Sequence, residues 1–238
     1  MIIFGKRCPV LLIKIFAEKN YRDDFIKGKM YLKECGYFSK LEDTYRGDKL
    51  DSKLKIYNAK VIIEGEKFIF PEMEQGFVGD EKVPILCTTI LNEIILEDIG
   101  NCEYKIKKEY KDELKKFGDY ALIFYYKDLK DNLDLYAEQN NLAIDQGIVD
   151  YTDINPNQKE YLNLYRGNYL NKYFIKNITY KYQNECRFIL LKNNKIKFIP
   201  LVEKDLGCYI FKMNPLKFYK KYQTNELLDG IIQFVPEQ

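Results

Sequence analysis

Three polar residues spaced by two, Gln183, Glu185 and Arg187, sit inside the stretch "YKYQNECRF" from Tyr180 to Phe188. At the period of a β-strand they share one face, and Tyr182, Asn184, Cys186 and Phe188 take the other. The second face is core-like. The segment therefore carries a carboxylate and a guanidinium into partly buried surroundings, where charges are paired or functional. Glu185 is the candidate for carboxylate chemistry, and a structural pair with Arg187 or a cross-strand partner is the competing account.

A second stretch, Gly28 to Asp51, crowds aromatic residues, Glu42-Asp43 and the triplet Arg46-Gly47-Asp48 together. Gly47 permits a tight turn that aims Arg46 and Asp48 the same way. The competing reading is an ordinary surface turn with a weak ion pair. Because a buried Glu needs a cationic partner, Arg46 or Asp48 is expected to approach the Glu185 face and form one polar cleft.

Composition removes whole classes of chemistry. The chain of 238 residues holds no histidine, which excludes Ser-His-Asp and Cys-His nucleophiles, H-E-x-x-H metal sites and paired-histidine acid/base work. Catalysis falls to Glu, Asp, Lys, Tyr or Arg. A carboxylate-only magnesium site stays open in principle, but no compact acidic array is visible and no metal is expected. "EDIGNCE" and "DNLD" read as a loop and a solvated helix surface. The six cysteines form no C-x-x-C pair, and Cys8, Cys87, Cys186 and Cys208 stand in apolar company, as small hydrophobes of a reducing cytoplasm do. Lys+Arg 38 against Asp+Glu 36 leaves +2, so no global basic field draws the chain to nucleic acid. No run approaches the ~20 apolar residues that span a bilayer. Lys6, Arg7 and Lys14 interrupt the hydrophobic N-terminus, which reads as a strand rather than a signal. A soluble cytoplasmic protein without a membrane partner is expected.

The elements that must position these residues alternate between strand and helix, with no repeat and no linker. Val10–Phe16 reads as a strand, "AEKNYRDDFIKG" as a helix closed by Gly28, and Lys29–Glu34 as a second strand. "LKIYNAKVIIEGEKFIF" reads as a hairpin turning at Glu64-Gly65-Glu66. "VPILCTTIL" is a buried strand or the start of an apolar helix. "EYKIKKEYKDELKKFG" has the spacing of an amphipathic helix, with Ile106, Tyr110, Leu114 and Phe117 on one side and Gly118 as its stop. A strand over Tyr120–Tyr126, the helical "KDLKDNLDLYAEQNN" and the short strand "GIVDY" follow. "NPNQKEYLNLYRGNYLNKYF" suggests one or two helices, and "IKFIPL" a partner for the opening strand across Lys192–Lys195. "MNPLKFYKKYQTNELLDG" reads as a final helix with Asn214 as N-cap, Pro215 at its first position and Gly230 at its end. The fold class is α+β, a mixed or antiparallel sheet with helices packed around it, as a single domain over residues 1–238.

Together the two unusual stretches carry a resemblance. "G-x-x-Y" at Gly28, "YF-x-K-x-E-D" at Tyr37, "Y-R-G-D" at Tyr45 and "Y-x-x-Q-x-E-x-R" at Tyr180 are similar to a family of uncharacterised bacterial proteins of phages and other mobile elements. The chain departs from that pattern at Leu50-Asp51-Ser52, where a Glu-Gly is expected. The order of elements also resembles the ADP-ribosyltransferase fold. That resemblance implies NAD as the cofactor, with Lys14 on the first strand, Gly28 and Tyr31 at the helix-to-strand passage, and Glu185 as the late-strand carboxylate that stabilises the sugar cation as nicotinamide leaves. It implies that Tyr31 or Tyr37 stacks on nicotinamide, that Arg46 takes a phosphate, and that Asp48, Gln183 and Arg187 complete the nucleotide site. Glu185→Gln is then expected to abolish transfer while leaving the fold nearly intact. The target is a macromolecule, more readily protein than nucleic acid. A second reading is a non-catalytic inhibitor that blocks a host protein or defence complex, for which Tyr 21 and Phe 15 supply interface area. A third is nucleic-acid binding through the interleaved "KFYKKYQ" of Lys217–Gln223, ranked last because that stretch also reads as an amphipathic helix.

Overall fold

The computed structural model describes residues 2–3, 6–7, 10–41, 45, 54–75, 80–153, 169–192, 204–205 and 208–233. β1 (Leu11–Phe16), α1 (Lys19–Ile26) and β2 (Lys29–Glu34) form a strand-helix-strand unit, followed by the short α2 (Cys35–Lys40). Gly28 ends the helix with φ at +84°, where a Cβ would meet the Met213 carbonyl oxygen at 2.1 Å, so only glycine fits this crossing. β3 (Pro84–Leu91) is a strand rather than a helix start. α3 (Lys108–Lys115), β4 (Tyr120–Tyr125), α4 (Tyr126–Gln139) and β5 (Leu142–Ile148) come next. β6 (Glu185–Lys192), β7 (Lys204–Asp205), β8 (Cys208–Lys212), β9 (Tyr219–Gln223) and α5 (Thr224–Asp229) complete the set.

The nine strands make one sheet in the order β7-β8-β2-β3-β1-β4-β9, with β6 paired to both β3 and β5. Every pairing in it is antiparallel, so the fold is α+β. One face carries the larger core: Phe25 and Ile26 of α1 and Leu129, Leu133 and Tyr136 of α4 pack on Leu12, Met30, Leu86, Phe124 and Phe188. On the opposite face the apolar side chains divide. Leu11, Ile13, Ala121 and Ile123 meet Leu227 and Leu228 of α5, while Ile85, Ile189 and Leu191 pack with Cys35, Val83 and Tyr173. Glu185 and Arg187 lie on the strand between these two clusters. None of the described helices is long and apolar enough to cross a membrane.

The hairpin is where the pattern places it, Leu54–Ile63 against Glu66–Gln75, turning through Glu64 (φ +52°) and Gly65 (φ +87°). Two helical readings give way to strands. Glu103–Ile106 is a strand, because Tyr104 and Ile106 alternate into the core and pair with Leu96–Gly100; "EDIGNCE" is thus a hairpin closed by Asn101 and Cys102, both at positive φ. Only Lys108–Lys115 remains helical. The expected final helix likewise divides into β9 and α5, because β4 offers an open edge with which Tyr219–Gln223 pairs along its whole length. Instead of capping a helix, the preceding segment is held extended by Met213 N–H on the Gly28 carbonyl (2.8 Å) and Leu216 N–H on the Ile26 carbonyl (2.9 Å). "GIVDY" falls across β5 and a short strand at Asp150–Thr152. The helical reading of residues 154–168 and the pairing of "IKFIPL" lie outside the described residues; Tyr169–Tyr173 forms a 3-10 turn.

Candidate functional site: a cationic cleft where the sheet forks

β3 has two partners along a single edge. β1 pairs with its far end (Leu11↔Leu91, Leu12↔Ile90, Ile13↔Thr89), and β2 with its near end (Lys33↔Ile85, Glu34↔Pro84). Between them Leu86, Cys87 and Thr88 form ladder pairs with neither strand, and the sheet forks. Lys14, the first residue of β1 beyond the pairing, reaches into the gap and donates from Nζ to the Cys87 carbonyl at 2.9 Å. Burial pushes the Lys14 ammonium below its ordinary pKa, partly offset by Cys87 and Glu185. Two adjoining cavities of about 240 Å³ and about 340 Å³ open at the fork, both bordered by Lys14, Tyr31 and Lys33. Phe38, Phe117, Lys176 and Glu185 complete the wall of the first.

Glu185 and Arg187 share a strand face, as their spacing requires, and Cys186 and Phe188 enter the core on the other side. Gln183 does not belong to that strand. It ends the 3-10 turn Ile178–Gln183, and Asn184, left-handed at φ +43°, swings the chain into β6. Asparagine tolerates this conformation, and its buried amide donates to the Ile90 carbonyl at 2.8 Å, which pins the corner. The turn still delivers Gln183 to the cluster: its Oε1 accepts from Lys176 Nζ at 2.7 Å and its Nε2 donates to the Tyr45 carbonyl at 2.6 Å.

The cations that hold Glu185 lie close to it in the chain. Lys176 Nζ lies 2.9 Å from Oε1 and Arg187 Nε 2.6 Å from Oε2, and a terminal nitrogen of Arg187 donates to the Tyr173 carbonyl at 2.6 Å. Glu185, Arg187, Lys176 and Gln183 are all buried. Burial alone raises a carboxyl pKa, but Arg187 and Lys176 overcome it and hold Glu185 well below the usual range. The main-chain N–H of Glu185 donates to the Tyr151 hydroxyl at 2.8 Å, and burial together with the Glu185 charge pushes that hydroxyl far up, so Tyr151 stays protonated. The expectation that Arg46 or Asp48 supplies the partner lies outside the described residues; the charge requirement is met by Lys176 and Arg187. Tyr45, next to Arg46, reaches the cluster through its carbonyl.

Tyr31 lines both cavities and donates its hydroxyl to Asp24 at 2.8 Å. Tyr37 is placed differently: on α2, 40% exposed, it carries the Lys33 ammonium 4.6 Å from its ring centre and leans edge-on against Phe38. Of these two neighbours it is Phe38 that lines the cleft. Sequence reasoning missed Lys33, Phe38, Tyr151 and Lys176 as members of the site. Lys176 alone left a signal, as a lysine in the apolar run just upstream of the Glu185 motif. Compared with family models, with curated proteins and with solved structures, the chain matches none of them.

Proposed function

We propose that the fork between β1 and β2 binds a phosphate-bearing nucleotide, with NAD as the member of that class whose chemistry Glu185 can use. The single observation that carries this reading is the gap in the sheet opposite Leu86–Thr88, bordered by Lys14, Lys33, Lys176 and Arg187 around one carboxylate. Among the described residues, four basic side chains to one carboxylate give the cleft a positive balance, and positive clefts with low-dielectric walls concentrate anions. Tyr31 and Phe38 offer faces for a base or a nicotinamide ring, and the two adjoining cavities match the few hundred cubic ångströms typical of nucleotide-sized ligands.

Transfer of ADP-ribose to a macromolecule is a separate claim about the same site. Each oxygen of an ionised carboxylate has two lone-pair directions, so Glu185 retains capacity for a ribose hydroxyl beside its bonds to Lys176 and Arg187. Those two cations also offset the charge that would stabilise an oxocarbenium-like sugar. Binding and transfer therefore need separate tests. Calorimetric titration with NAD, ADP-ribose and ATP is expected to show saturable binding that Lys33→Ala weakens about tenfold, the loss of one charge-assisted contact. Absence of binding by all three ligands would overturn the nucleotide reading. Labelled NAD incubated with candidate protein targets reads transfer, and binding without label transfer leaves a binding protein rather than an enzyme.

A second reading, a protein that acts by occupying a partner's surface, is favoured by the hairpin, where Ile62, Ile63, Phe68, Ile69 and Phe70 are 40–73% exposed. Under that reading Phe68→Ser with Ile69→Ser abolishes the protein's effect in cells that express it, while Lys33→Ala leaves the effect intact.

A further inference from the structure

From the edge strand β9 we infer that the chain carries a second binding site, for single-stranded nucleic acid, separate from the fork. The stretch that leads into and forms β9, Lys217–Gln223, interleaves lysines with aromatic rings. On a helix those side chains would spread around the axis at about 100° steps, but as a strand they sort into rows. Within β9, Lys220 and Tyr222 fall on the side of Ile123 and Ala121, and Tyr219 and Lys221 on the side of Phe124 and Leu122, while Lys217 and Phe218 form the bend that leads into it. β9 is the last strand of the sheet and pairs with β4 alone among the described residues.

Phe218 is 61% exposed and Tyr219 40%, an unusual cost for rings beside an open edge. Phe218 stands edge-on to Tyr125, with centroids 5.9 Å apart, and the two rings with Tyr219 and Tyr222 border a cavity of about 280 Å³ whose rim carries Lys217 and Lys220. The corner is fixed by Asp128, whose carboxylate accepts the main-chain N–H groups of Lys217 (2.6 Å) and Phe218 (3.2 Å). Nearby acids are otherwise engaged: Asp131 by Lys127 at 2.5 Å, and Asp23 by Arg22 at 3.3 Å and by Lys221 at 3.4 Å. Lys217 and Lys220 make no ion pair among the described residues, although the Asp131 carboxyl is held below its ordinary pKa by Lys127 and Lys130 and, after them, by the Lys217 charge.

Exposed ring faces next to ammonium groups along an extended edge are the chemistry of base stacking and phosphate contact. A duplex hides its base faces, whereas a single strand can splay a base into a concave pocket, so single-stranded DNA or RNA is the fitting occupant. Lysines on an edge strand can also serve only to repel other strands, and the aromatic residues separate the two accounts: protection against edge pairing does not need an exposed Phe218.

The test is fluorescence anisotropy of the full chain with a labelled single-stranded oligonucleotide of about 12 nucleotides. Binding is expected to weaken steeply between about 50 and about 200 mM salt. Phe218→Ala should weaken it at least about fivefold, the low end of a lost stacking contact. Lys217→Ala and Lys220→Ala should each lower the slope of log affinity against log salt by about 0.7. Lys33→Ala, which disturbs the fork, should leave this binding unchanged, so failure here and failure of the nucleotide reading are distinguishable. All substituted side chains are exposed or half-buried, and far-UV circular dichroism checks that the fold persists. The inference is overturned if the wild type does not bind, if Phe218→Ala binds as tightly as the wild type, or if a duplex of the same sequence competes equally well.

Discussion

Around Glu185 the chain buries what is most expensive to bury, two cations and a carboxylate, whereas along the hairpin it exposes what is cheapest to bury, three isoleucines and two phenylalanines. The first arrangement is stable because every group found a partner nearby in the chain: Lys176, Gln183 and Arg187 all lie within nine residues of Glu185. The second has no such closure. The two hairpin strands pair only with each other among the described residues, and a two-stranded ribbon is marginal in water on its own. Internal satisfaction marks a region built to hold its shape; apolar surface left exposed on a ribbon, among the described residues, is what the surface-occupying reading draws on.

That contrast can be broken by substitution, beginning at the cluster. Glu185→Gln keeps the shape but leaves Lys176 and Arg187 buried without their carboxylate, so unfolding in urea should show a loss of about 3–5 kcal/mol. This replaces the expectation that the amide leaves the fold intact, and makes activity loss in that variant uninformative unless its stability is measured alongside. A near-wild-type midpoint for Glu185→Gln would mean the cluster is less tightly held than its distances say. A double-mutant cycle with Arg187→Met sharpens the point: Arg187 and Glu185 are in direct contact, and their coupling should reach about 1–3 kcal/mol.

Acid titration probes the same cluster more gently. The folded-state pKa of Glu185 lies below its ordinary value of 4.5, near 2. Its contribution to stability is therefore fully present above about pH 4.5 and is lost as pH falls toward 2. Urea midpoints measured across that window should fall more steeply for the wild type than for Glu185→Gln, which has no proton to take up there; parallel curves would remove Glu185 from the acid response.

The smallest expected effect belongs to the hairpin. Phe68→Ser or Ile69→Ser should change global stability by no more than about 0.5 kcal/mol, since both side chains are exposed among the described residues. Light scattering should at the same time show less self-association than in the wild type. A large loss of stability in either variant would show that the ribbon is folded against the rest of the chain, and the comparison would collapse.

Several features were legible in the sequence because they depend on neighbours in the chain. The parity of Glu185 and Arg187 follows from a period of two, the stop at Gly28 from the backbone freedom of glycine, and the hairpin from Glu64-Gly65 between two alternating runs. Tertiary structure decided the rest, because it turns on which strand claims which edge. The fork exists because β1 and β2 share one side of β3 without meeting over Leu86–Thr88, a fact that resides in no single segment. Lys217–Gln223 suits an amphipathic helix as well as a strand by its own pattern, and the open edge of β4 settled Tyr219–Gln223 as β9. Lys176 is on a different short strand from Glu185, and only the 3-10 turn and the left-handed Asn184 between them bring ammonium and carboxylate to 2.9 Å. Local rules act through bonds a few residues long, whereas edge pairing and charge burial are settled by the free energy of the whole packed sheet.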